Sequence, residues 1–139
     1  MTRSSGKTTK CDPSDARTRL RQAAAFVSVA ELVFNEQDDE ELLFNGVAAA
    51  LAVLAGIAAS DAACCARLGR RFRGQDHAGA VDLVRTVQPD GPALAKDLAR
   101  LLAIKDNVHY GALVISLPDA KDAVTWARRM VDAVTRVLA

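Results

Sequence analysis

The densest chemistry in the sequence lies at positions 101–111. There the apolar run Leu101, Leu102, Ala103, Ile104 gives way to Lys105, Asp106, Asn107, Val108, His109, Tyr110 and Gly111. On a helix, Lys105 and His109 are four apart and share a face, and Asp106 stands within reach of both His109 and Tyr110. A lysine neutralises a phosphate, and an imidazole moves a proton near neutral pH. The chemistry this set suggests is phosphate handling. The structural alternative is a lysine that snorkels at a helix end, where cations also complement the dipole. A single lysine–histidine pair at this spacing is common on helices.

A second candidate is Arg67, Arg70, Arg71 and Arg73, the one dense basic patch. It would suit phosphate or nucleic-acid contact. It would equally complement the C-terminus of a helix capped by Gly69 or Gly74. Other polar residues carry less. His77 has no partner at a spacing that gives it a catalytic role, and Asp61 interrupts an apolar surface as an acid that pairs with an arginine. Two histidines, with no H-E-x-x-H pattern and no cysteine–histidine cluster, point to no metal site. No glycine-rich loop follows a strand, so no cofactor is expected. Cys11, Cys64 and Cys65 are odd in number and form no C-x-x-C motif. They are expected to be reduced thiols in a cytoplasmic protein, with Cys64 and Cys65 inert in the core.

These residues must be positioned by helices. The chain has 139 residues, a formal charge of +1, 50% hydrophobic residues and only 4% aromatic ones. That length suits one domain, and an Ala-, Val- and Leu-based core suits closely packed helices. The small net charge excludes a global field that would drive nucleic-acid or membrane binding. The most apolar run, 47–59, is shorter than the ~20 residues a bilayer span needs. No membrane association is expected, and the N-terminus has no apolar signal region.

Residues 1–11 are polar and basic and are expected to form a disordered tail, followed by one domain over 12–139. Asp12, Pro13 and Asp15 form a helix start. Leu20, Ala23, Val27, Ala30 and Phe34 make the stripe of a helix ending near residue 35. An acidic connection leads to a second helix over about 39–68, apolar on nearly all sides and therefore central. Asp76 caps a short third helix. The breaker Pro89, Asp90, Gly91, Pro92 starts a fourth, striped by Leu94, Leu98, Leu101, Lys105 and Val108. Ser116 and Asp119 box in a fifth, with Ala120, Val124, Ala127, Val131, Val134 and Leu138 inward. Trp126 falls off that face and suits a partner surface. No strand pattern stands out. The fold class is all-α: an up-and-down bundle of four long antiparallel helices plus one short helix.

The order of helices resembles the HEPN domains, with Gly74, Gln75, Asp76, His77, Ala78, Gly79, Ala80, Val81, Asp82 and Leu83 in the short third helix and Lys105 to Tyr110 ending the fourth. The resemblance covers roughly 15–138. It implies a homodimer and, in many members, a metal-independent endoribonuclease. In that chemistry an arginine, a polar residue and a histidine after four to six intervening positions face their copies across a cleft. The RNA 2′-hydroxyl attacks the adjacent phosphate. Here Lys105 stands in the arginine position, Asp106 is the polar residue, His109 comes after three intervening residues, and Tyr110 has the family spacing. Lysine lacks the bidentate fork of arginine. The resemblance therefore implies a degenerate site at Lys105, Asp106, His109 and Tyr110, with Arg67, Arg70, Arg71 and Arg73 holding RNA. It also implies a toxin–antitoxin or defence role, with an antitoxin or nucleotidyltransferase as partner. The alternative is a non-catalytic interaction or dimerisation module.

Overall fold

The computed structural model describes residues 7–36, 43–110 and 114–139, and of 107–110 the backbone alone. Within them the chain is an all-α bundle of five helices with one small strand pair. The order is β1 (Thr8–Lys10), α1 (Pro13–Glu36), α2 (Leu43–Leu68), β2 (Arg70–Phe72), α3 (His77–Arg85), α4 (Gly91–Tyr110) and α5 (Leu117–Leu138).

The helix starts follow from local chemistry. The Asp15 amide donates to the Asp12 carboxylate at 2.8 Å, and the Asp12 amide donates back to Asp15 at 3.0 Å. This reciprocal box satisfies donors that a helix N-terminus otherwise leaves unpaired. Asp76 caps α3 by accepting from the Ala78 amide, and Ser116 caps α5 by accepting from the Asp119 amide.

α2 touches all four other helices and β2. Its small residues explain how. Ala48, Ala49, Ala52, Ala55, Ala58, Ala59, Ala62 and Ala63 are all fully buried, which lets neighbouring backbones approach closely. By length and composition α2 could cross a membrane, yet 56% of its most apolar window is buried inside the bundle. Its burial is that of a core helix.

α1 runs antiparallel to α2, so that Arg19 near the start of one meets Asp61 near the end of the other. α4 and α5 are also antiparallel, joined by Asp97 to Arg129 and by Arg100 stacked 5.4 Å over the Trp126 ring. Arg128 makes a second two-pronged contact, to Glu31 of α1. Such forked bonds add orientation as well as energy. Trp126 is thus half-buried, packed on the core with Arg100 over its ring.

The N-terminal segment departs from expectation. Thr8–Lys10, read as part of a disordered tail, pairs antiparallel with Arg70–Phe72, Thr9 opposite Arg71. The Arg73 amide donates to the Lys7 carbonyl and the Cys11 amide to the Gly69 carbonyl, extending the ladder at both ends. Gly69 turns the chain from helix into strand at φ +73°, a conformation natural to glycine. The cysteines also depart from expectation. Cys11 and Cys65 are joined in a disulfide and only Cys64 is free. The fold places the chain just before α1 against the end of α2, and sequence separation gave no hint of that. The acidic connection expected at 36–41 falls almost wholly outside the described residues.

Candidate functional site

Asp61 is the buried polar anchor of the region. It faces the interior 8% exposed and accepts from Arg19 Nε at 3.2 Å and from its terminal nitrogen at 2.8 Å. Arg71 stands 3.8 Å from the same oxygen. The reading of Asp61 as an acid paired with arginine agrees with this geometry. Burial raises its pKa, and the two guanidiniums only partly offset that. The folded protein therefore holds this proton more tightly than the unfolded chain does. Stability from protonated Asp61 is full below the ordinary carboxylate value of 3.8 and is lost as pH rises through the folded value. Urea unfolding from acid to neutral pH should show the wild type losing stability relative to Asp61→Asn across that window. Parallel curves would contradict the assignment.

Around this anchor α1, α2, β2, α3 and α4 enclose a cavity of about 460 Å³. Ile57, Phe72, Ala80, Leu98 and Leu102 give it apolar walls. Arg19, Ser60, Asp61, Arg71, Asp76, His77, Lys105 and Asp106 give it polar ones. Such a volume with mixed lining is in the ordinary range for small-ligand sites. Lys105 extends the stripe of Leu94, Leu98 and Leu101 and is half-buried, as that register requires. Among the described residues no acid lies within ion-pair distance of it. Among the described residues Arg71 has only the longer contact to an Asp61 already engaged by Arg19. Among the described residues these two cations of the cavity are therefore only lightly neutralised.

His77, for which the sequence offered no partner at a supporting spacing, gains one in the fold. Its Nδ1 stands 3.8 Å from Asp106 Oδ1, at the mouth of the same cavity. The pair also lines a second hollow of about 390 Å³ beside Val81, Arg85 and Ala103. The only sequence signal was the Asp76 cap, which fixes where His77 begins its helix. Its partner on α4 is remote in the chain.

The structure brings together Lys105, Asp106 and Arg71, and separates them from Arg67, Arg70 and Arg73. Arg67 points along α2 to the Val137 carbonyl at the end of α5. Arg70 and Arg73 are exposed and do not line the cavity. The expected four-arginine patch is thus divided, because helix end, left-handed glycine and strand aim successive side chains differently. The side chains of His109 and Tyr110 lie outside the described residues. Asn45, buried near the start of α2, donates to the Ile115 carbonyl at 3.3 Å and ties α2 to the entry of α5. Among the described residues no group of three His, Cys, Asp or Glu is placed to hold a metal ion.

Comparison with protein-family models gives no match, and comparison with curated proteins gives none either.

Proposed function

We propose that this chain is a HEPN-like helical domain that binds RNA, with its cavity as the phosphate site and with weak or absent metal-independent cleavage. The observation that carries the reading is the convergence of Lys105 and Asp106 from α4 with Arg71 from β2 on one cavity. These residues come from two sets that the sequence offers separately, and both suit a phosphodiester. Arg71 presents a planar fork to two phosphate oxygens, and Lys105 supplies a point charge. In cleavage, a 2′-hydroxyl would lose its proton to a base as its oxygen attacks phosphorus. The 5′-oxygen would leave and take up a proton. The imidazole of His77, 3.8 Å from Asp106, is the group lining the cavity that this reading assigns to such a transfer. A toxin–antitoxin or defence setting belongs to this proposal as its physiological form.

The test is binding and cleavage of a labelled single-stranded RNA in the presence of a chelator. Binding that weakens in Lys105→Ala at unchanged thermal stability supports the reading. Cleavage lost in His77→Ala would add activity to it. A folded protein that neither binds nor cleaves RNA refutes it.

A second reading, an interaction or dimerisation module, is favoured by one observation. Val29 and Leu32 on α1 and Leu43, Val47 and Leu54 on α2 are exposed. The α2 residues recur at helical spacing and make a stripe of the kind that partner surfaces use. A homodimer, or a complex with an antitoxin or nucleotidyltransferase, would cover it. Sedimentation of wild type and Leu32→Glu tests the homodimer. A concentration-dependent dimer lost in the variant supports it, and a monomer at all concentrations excludes it.

A further inference from the structure

We infer that the Cys11–Cys65 disulfide is a reversible tie that sets the cavity wall, so that reduction loosens the site. The inference rests on the cavity being the anion site proposed above. Cys65 is one helical turn beyond Asp61, so the disulfide anchors at the same end of α2 as the cavity's buried acid. Cys11 directly follows β1, whose Thr9 pairs with Arg71. β1, which backs the strand carrying Arg71 and Phe72 into the cavity, is thus held by the covalent bond, the three-residue pairing and the flanking bonds to the Lys7 and Gly69 carbonyls. A two-stranded pair that short is marginal alone, so the covalent bond adds a restraint on β1 that the pairing by itself does not supply.

The disulfide is open to exchange from one side. Cys11 is half-exposed, whereas Cys65 is buried. A dithiol reductant attacks through its thiolate at the Cys11 sulfur, forms a mixed disulfide there and expels Cys65, which takes up a proton. The second thiol of the reductant, losing its own proton, then attacks the mixed disulfide at the reductant's sulfur. Cys11 leaves and is protonated. Two electrons and two protons pass to the protein, and the dithiol becomes a disulfide. Cys64 does not compete, because it is buried and its thiol is pushed up to about 12, chiefly by desolvation.

The test compares oxidised and dithiothreitol-reduced protein. Peptide mapping without reduction should find Cys11 joined to Cys65. Hydrogen exchange, which needs no ligand, should show reduced protein losing protection at Thr8–Lys10 and Arg70–Phe72 while α4 and α5 keep theirs. RNA affinity should fall about tenfold on reduction. Cys11→Ser should behave as reduced protein under either condition, and Cys64→Ala should respond as wild type. Unchanged exchange at the two strands on reduction, or a response abolished by Cys64→Ala, would overturn the inference. If oxidised protein binds no RNA but its strands still loosen on reduction, the tie stands and the RNA reading falls.

Discussion

Replacing Leu101 with alanine is expected to destabilise the bundle by about 3–5 kcal/mol, measured by urea unfolding. Leu101 is fully buried at the contact of α4 with α2. A β-carbon placed on Gly56 would lie 2.5 Å from Leu101 Cδ1 and 3.4 Å from Met130 Sδ. The leucine therefore fills the notch that the glycine leaves. The notch makes a sharper prediction than the single variant does. Gly56→Ala alone should cost about 1–3 kcal/mol through overpacking, despite alanine's advantage of ~1 kcal/mol in a helix. In the Leu101→Ala background the same change should be neutral or stabilising, because the new methyl then enters vacated space. Simple addition of the two costs would show that the helices separate or shift, and that Gly56 does not set their approach.

The second large effect concerns the cavity. The double variant Arg71→Ala, Lys105→Ala is expected to lose most of its affinity for single-stranded RNA. Each removed phosphate contact should lower the slope of log affinity against log salt by about 0.7. Arg71→Lys separates charge from geometry, since it keeps the cation and loses the fork. It should retain the salt slope with reduced affinity. Removing the exposed Arg70 and Arg73 should matter less, because neither lines the cavity. Equal losses from Arg70, Arg71 and Arg73 would instead indicate a diffuse basic surface. Circular dichroism of each variant checks that Asp61, which keeps Arg19, still holds the end of α2 in place.

Much of the fold is legible in the sequence because it depends on local signals. The boxes at Asp12 with Asp15 and at Ser116 with Asp119 are short-range hydrogen bonds. The all-round apolar character of α2 has no place but the centre. Asp61 in that helix demands a cation, and the arginine of α1 supplies it. What is not legible depends on chain returns. β1 and β2 are three residues each, too short to show a two-residue period. Their pairing follows from the left-handed turn at Gly69 and from the disulfide, not from propensity. By sequence Cys65 reads as an inert core residue, and only the fold brings Cys11 to it. The four arginines cluster in sequence, but only Arg71 enters the cavity, because the strand begins between them. His77 and Asp106 belong to different helices, and no spacing rule connects them. Lys105 is legible for the opposite reason: a polar residue that continues a buried stripe must line whatever space that stripe meets.

The central claim is that RNA phosphates enter the cavity between α1, α2, β2, α3 and α4. Hydrogen exchange of the oxidised protein, with and without excess single-stranded RNA, tests it most directly. The account predicts new protection concentrated at residues 70–77 and 98–106, absent in the Arg71→Ala, Lys105→Ala variant. Protection confined to the exposed stripe of α1 and α2, or none at all under binding conditions, would contradict it.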